Sequence, residues 1–306
     1  MRKFIHSTSA FWVVVSALFM TIFANYTMFA KASSWLASSG TSQIYMVALS
    51  LYQFLLLLFL MALLSMHRWY RPAIALFLFL AAFSAYFSDS YGVIIDKDML
   101  INALETNVSE ATGLVSWRAF FYLTALFVVP TYLLYKFPVK TQSLRQRLFH
   151  HGGVAVLALV GIAVTFLATS AFSASFFREQ KQIRVYSSPI AALYAFYQIG
   201  NRAIFSPSQT FTKIGDDAVI HPPSDDRELI ILVVGETARS DRFSLNGYGK
   251  NTNPLLSKEN VVSFNNVASC GTSTAISVPC MFSSEGKDKF DLSKFKNKEN
   301  ILDVAG

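Results

Sequence analysis

Apolar residues fill the first part of the chain in five long stretches separated by short polar ones. The stretches run roughly Ala10–Ala30, Ile44–Met66, Ala73–Phe87, Trp117–Tyr135 and Val154–Phe172. About 20 consecutive apolar residues in a helix cross a bilayer core. The pattern therefore predicts five transmembrane helices, the third being the shortest. YQFLLLLFLMALL (Tyr52–Leu64) has no polar face, which argues against the alternative, buried core helices of a soluble protein.

The pattern then changes twice. Between 173 and 226, Phe176, Phe177, Tyr186, Tyr194, Phe196 and Tyr197 alternate with Arg178, Lys181, Arg184 and Arg202. Pro189 precedes IAALYAFYQIG, which reads either as an amphipathic helix lying in the headgroup zone or as linker packing. HPPSDD (His221–Asp226) is rich in turn formers and marks a boundary. Beyond it, ELIILVV (Glu228–Val234) is a short β-branched run without alternation, the pattern of a strand buried on both faces of a parallel sheet. A second strand is expected over Val261–Val267. The fold class expected is thus a helical membrane domain followed by the start of an α/β domain. The expected divisions are 1–176 for the five-helix membrane part, 177–226 for the bridge and 227–306 for the outer domain.

Composition agrees with this division. Of the 306 residues, 53% are hydrophobic and only 15% charged, against about 25% charged in a soluble domain. Residues 1–177 carry 11 Lys/Arg and 5 Asp/Glu, whereas 178–306 carry 15 and 14. The basic excess therefore belongs to the apolar half, and no nucleic-acid partner is expected. Arg2, Lys3, Arg68, Arg71, Lys136, Lys140, Arg145 and Arg147 fall on one side of the five crossings. The other side has Lys31 and Lys97, with Asp89, Asp96, Asp98, Glu105 and Glu110. Cations collect in cytoplasmic loops. The N-terminus is expected in the cytoplasm, and everything after about Phe172 outside. The first span reads as an uncleaved signal anchor.

Candidate chemistry lies on the outer side. The loop Ser88–Ser116 is the most polar part of the membrane half, and Met99–Thr106 within it has the pattern of a short helix. Asn102 and Glu110 stand there near the outer headgroups, where a carboxylate can partner an ammonium group; the alternative, which spacing alone favours, is a plain solvated loop. Glu236 follows the strand ELIILVV, where ligands of α/β sheets collect. It is either a metal ligand or an acid favoured by a helix dipole. Thr272, Ser273 and Thr274 stand at a helix start suited to phosphate, or are ordinary caps. A threonine hydroxyl needs a base or a metal to become nucleophilic, and no His lies nearby in this segment. Cys270 and Cys280, ten apart in an oxidising compartment, are expected to pair, the alternative being two free thiols.

GETARSDRFSLNGYGKNTNP (Gly235–Pro254) followed by SCGTSTAISVPCMFS (Ser269–Ser283) closely resembles the lipid A phosphoethanolamine transferases. This family includes the mobilised colistin-resistance enzymes, and its outer domain has the alkaline phosphatase/sulfatase fold. The likeness extends back through YGVIIDKDMLINALETNVSEA to the first span. It implies that Glu236 is a zinc ligand, and that Thr274 rather than Thr272 is both nucleophile and zinc ligand. It further implies that Asn102 and Glu110 bind substrate and that Cys270–Cys280 is a disulfide. Some members have His where Arg242 stands. The resemblance implies a multi-pass protein of a bacterial inner membrane with a periplasmic catalytic domain. Phosphatidylethanolamine would be the donor, lipid A the acceptor, Zn²⁺ the cofactor and polymyxin resistance the outcome. Family members are longer, so the sequence is expected to be partial, with the remaining zinc ligands beyond Gly306 and with these residues inactive alone. Transfer to another acceptor (core sugar), transfer of phosphoglycerol, and a non-catalytic membrane remnant stay open.

Overall fold

The computed structural model describes residues 8–66, 69–105, 116–205, 210–219, 231–235 and 238–305. They divide into two units, Met1–Ile204 and Phe205–Gly306. IAALYAFYQIG, assigned to the bridge from sequence, thus lies within the first unit.

The first unit is helical. In order come α1 (Ser9–Phe23), α2 (Tyr26–Ser38), α3 (Tyr45–Leu64), α4 (Tyr70–Tyr91), α5 (Lys97–Glu105) and α6 (Trp117–Lys136). Then follow α7 (Leu144–Ala168), α8 (Ser170–Glu179), α9 (Lys181–Arg184) and α10 (Ile190–Phe205). Among the described residues, α3, α4, α6 and α7 are each long and apolar enough to cross a membrane. α1 and α2 meet the test only as a pair bent by 57°.

Three spans differ from the expectation. The first apolar run is not one straight helix: it breaks at Ala24–Asn25 and α2 carries it on to Ser38. The third is not short. α4 has 22 residues, because Ser84, Ser88 and Ser90 do not interrupt helix between apolar neighbours. The fifth starts ten residues early, at a capping box in which Ser143 and Gln146 bond each other's backbone amides. It ends at Thr169, before Phe172. α6 contains a π turn over Thr124–Val128, with the Val129 amide bonded to the Thr124 carbonyl. Pro130 follows directly, and a ring without an N–H that crowds the preceding turn suits such a widening.

Small residues bring these helices together. Ala17, Ala62, Ala81, Ala82, Ala85, Ala155 and Ala158 are buried with Val13, Met20, Leu57 and Phe77 in one cluster. Lipid tails are as apolar as Leu, so close backbone approach rather than apolar burial holds membrane helices together. At Gly161 of α7 a Cβ would stand 3.0 Å from the Leu55 side chain of α3. The outer faces are apolar too, with Leu157 71% and Leu167 75% exposed, as lipid contact requires.

In the second unit the described residues form short elements. Three-residue turns of 3₁₀ helix lie at Ser240–Arg242, Ser244–Asn246 and Leu256–Lys258. They are joined by α11 (Thr274–Met281), α12 (Leu292–Phe295) and α13 (Ile301–Ala305). Neither expected strand is present among the described residues. Ile231–Val234 and Val261–Val267 run without strand partners, Val233 being 82% and Val262 80% exposed. A central parallel strand needs a neighbour on each side to satisfy its amides, and the described residues supply only an isolated parallel bridge between Thr212 and Lys298.

Candidate functional site

Thr274 is the first residue of α11. Ser273 before it is extended (φ −115°, ψ 146°), the geometry of a helix N-cap, and its carbonyl accepts from the Ile276 and Ser277 amides at 3.1 and 2.9 Å. Cys270 and Cys280 are joined by a disulfide with Cα atoms 6.3 Å apart. The bond ties the loop before Thr274 to the last turn of its helix. Gly271 lets that loop close, since a Cβ there would stand 2.8 Å from Ile276 Cγ2. Thr274 itself is exposed.

The segment upstream forms its own knot. Arg239 grips Asp241 with two hydrogen bonds of 2.9 and 2.7 Å. The Arg239 guanidinium holds the Asp241 carboxyl below its usual range. Arg242 Nη1 donates to the Tyr248 hydroxyl at 3.0 Å, and Thr252 Oγ1 donates to the Arg242 carbonyl at 2.7 Å. A cavity of about 480 Å³ lies between this knot and α11, lined by Ser240, Asn246, Ser269, Cys270, Ser277 and Lys287 among others. Thr274 is not among its lining residues.

Glu236 and Glu110 lie outside the described residues. Asn102 is half-buried on α5 in the first unit. That helix starts directly after Asp96, whose Oδ1 accepts from the Met99 amide at 2.9 Å. Its Leu100 is buried with Ile95, Tyr86, Phe87, Ala192 and Ala195. The structure therefore brings together Thr274, Cys270 and Cys280, and holds Asn102 on a helix packed against α4 and α10.

Sequence patterns alone did not reveal the role of Asp89. It stands near the end of α4, accepts from the Thr27 amide and hydroxyl at the start of α2, and accepts from the Tyr122 hydroxyl of α6 at 3.1 Å. A carboxylate at a helix N-terminus is favoured by unpaired amides, and its loop position in the sequence hid this. A second cavity, about 430 Å³ and almost wholly apolar, opens between α2, α3, α7, α8 and α9, with Tyr52, Gln53, Arg184 and Ser187 as its polar groups.

Among the described residues no three His, Cys, Asp or Glu side chains come close enough to hold a metal ion. The two cysteines are spent on each other. The described residues thus do not make a zinc site.

Residues 53–204 match the family described as phosphoethanolamine transferase EptA/EptB, and residues 228–305 match sulfatase. The chain is 37% identical to phosphatidylethanolamine transferase Mcr-1 of Escherichia coli, over 97% of this chain and 56% of that protein. It is 31% identical to phosphoethanolamine transferase EptA of Escherichia coli strain K12, over 96% of this chain and 54% of that one. Among solved structures it superposes on the integral membrane lipooligosaccharide phosphoethanolamine transferase A (EptA) of Neisseria meningitidis with a TM-score of 0.85. The identity there is 26%, over 98% of this chain and 56% of that one. The chain spans about half the length of the curated relatives it matches. A membrane-type helical unit followed by part of a sulfatase domain, in this order and with these likenesses, places the chain in the phosphoethanolamine transferase family of the Mcr and EptA enzymes.

Proposed function

We propose that this protein moves phosphoethanolamine from phosphatidylethanolamine to a phosphate of lipid A, with Thr274 carrying the group in between. The observation that supports this most is the placement of Thr274. It opens α11, exposed, inside a loop closed by Cys270–Cys280, where the resemblance puts the nucleophile. Rigid support of a reacting hydroxyl lowers the entropy cost of reaching the attack geometry.

The chemistry balances in two steps. Thr274 Oγ1 forms a bond to phosphorus, the bond from phosphorus to the glycerol oxygen breaks, and the hydroxyl proton ends on the released diacylglycerol. A lipid A phosphate oxygen then attacks the same phosphorus, and Thr274 leaves and regains a proton. Lipids at both ends explain why a transferase of this kind is joined to membrane-type helices. On this reading Asn102 and Glu110 meet the donor headgroup. The added ammonium offsets phosphate charge on lipid A and weakens attraction for cationic peptides such as polymyxins.

Zinc belongs to the proposal through the resemblance alone. Thr274 and Glu236 would be two of its donors, and its chemistry there would be to favour the ionised threonine and the charge on phosphate oxygens. The proposed location is a bacterial inner membrane, with the N-terminus cytoplasmic and Thr274 on the periplasmic side.

Mass spectra of lipid A from cells expressing the protein test the function. Lipid A bearing added phosphoethanolamine is expected. Unchanged lipid A, with the addition found on core sugar or as phosphoglycerol, would overturn the acceptor or the transferred group.

A further inference from the structure

At the opposite chemical extreme from the apolar cavity lies a third, of about 340 Å³, where the starts of α1 and α4 meet the segment between α6 and α7. Ser9, Arg71, Lys140, Thr141, Gln142 and Arg147 line it, with no carboxylate among its lining residues. Three cations and three hydroxyl-bearing residues, Tyr70 being the third beside Ser9 and Thr141, thus line one small space.

The two guanidinium groups are held from behind. Arg71 Nη2 donates to the Phe137 carbonyl at 3.1 Å, and Arg147 donates through Nε and Nη2 to the Gln142 carbonyl at 3.2 and 3.1 Å. Gln142 is fixed in turn by Ser9, whose hydroxyl donates to Gln142 Oε1 at 2.9 Å and meets His151 Nε2 at 2.8 Å. Arg71 Nε is buried without a hydrogen-bond partner. Arg71 also lies over the rings of Tyr70 and Tyr135 at 5.9 and 5.5 Å. None of the three cations forms an ion pair among the described residues. In sequence, the five acids of the membrane half, Asp89, Asp96, Asp98, Glu105 and Glu110, all fall after the middle of α4 and before α6.

Positive charge gathered without counter-charge at the edge of a low-dielectric helix bundle is unfavourable. A topology signal needs only cations in loops. It does not need guanidinium groups braced on carbonyls around a cavity. Planar guanidinium groups and hydroxyls together are the donor set for phosphate oxygens.

We propose that this cavity binds a phosphate group, in the first instance that of an anionic phospholipid headgroup, on the face of the membrane that carries the cationic loops. The tyrosines beneath Arg71 are the aromatic residues found at headgroup depth. The site is separate from the phosphoethanolamine transfer proposed above and does not depend on it.

The test is melting of the purified full chain in mild detergent, titrated separately with dioctanoyl phosphatidylglycerol and with inorganic phosphate. The wild-type protein is expected to show a saturable rise in Tm with the lipid. Lys140→Gln removes an exposed cation with no ion-pair partner among the described residues and so is expected to leave folding intact; it is expected to raise the midpoint concentration about five- to tenfold. Arg147→Gln is expected to raise it further. Lys136→Gln, outside the cavity, should leave it unchanged. A saturable response to inorganic phosphate and not to lipid would keep the site and assign it to free phosphate. No saturable response to either, or a midpoint insensitive to Lys140→Gln, would overturn the proposal.

Discussion

Asn25 and Ser188 stand 163 positions apart and are tied by two hydrogen bonds, Nδ2 to the Ser188 carbonyl at 3.0 Å and the Ser188 amide to Oδ1 at 2.8 Å. The same Nδ2 donates to the Met20 carbonyl at the end of α1, which also accepts from the Ala24 amide, and Gln53 Nε2 joins both Asn25 Oδ1 and the Ser188 carbonyl. Ser187 completes the group by donating to Gln53 Oε1. One side chain thus stabilises the α1–α2 bend and pins the start of α10 to it.

Asn25→Leu should therefore lower stability by about 1–3 kcal/mol, since it strands the buried Ser188 amide, whose acceptor is Asn25 Oδ1. Thermal unfolding in detergent reads this. A variant that melts with the wild type would mean that the bend holds without its polar clamp.

Gly271→Ala should disturb the loop that carries Thr274. The new Cβ would meet Ile276 Cγ2 at 2.8 Å and Ile276 Cβ at 3.1 Å, and a β-branched side chain in a helix has little freedom to move aside. A cost of about 1–3 kcal/mol is expected. The transferase activity proposed for the protein as its cell makes it should fall with it, and undiminished activity in this variant would separate loop geometry from function.

Replacing both Cys270 and Cys280 by Ser removes a cross-link spanning ten positions. Chain entropy alone predicts a loss of roughly 2–3 kcal/mol. The check is the midpoint of urea unfolding of the oxidised wild type against the double variant. Equal midpoints would show that neighbouring contacts hold the loop.

Glu299 provides a pH dependence. Its Oε2 accepts from the Ile214 and Gly215 amides at 2.9 and 3.1 Å, beside the Thr212–Lys298 bridge. Those backbone hydrogen bonds lower its pKa. A lowered carboxyl pKa contributes stability above the unfolded value and loses it as pH falls through the folded one. Amide exchange at Ile214 and Gly215, corrected for intrinsic rate, should quicken once pH drops below the ordinary glutamate value of about 4.3, and Glu299→Gln should abolish that dependence. Protection unchanged by acid would show that the carboxylate is not what closes this contact.

Much of the first unit was legible because a helix in lipid must satisfy its own backbone and face apolar surroundings, which writes long runs such as Tyr52–Leu64 into the sequence. The break at Asn25 was not legible. A single polar residue in an apolar run signals a bend only once Gln53 and Ser188 stand beside it, and these are distant in the chain. The strands expected at Glu228–Val234 and Val261–Val267 rest on local propensity, which cannot supply pairing, because pairing depends on partners elsewhere in the chain. At the candidate site, the start of α11 at Thr274 was readable from its cap-forming neighbours. The cation-lined cavity was not, because its residues come from three separated segments and each taken singly looks like a loop charge.

Thr274 is the residue on which the proposed transfer depends. Intact-mass analysis after incubation with phosphatidylethanolamine, on the protein as its cell makes it, should show a phosphoethanolamine adduct on the wild type and none on Thr274→Ala. An adduct persisting at the same level in the variant would contradict the assignment.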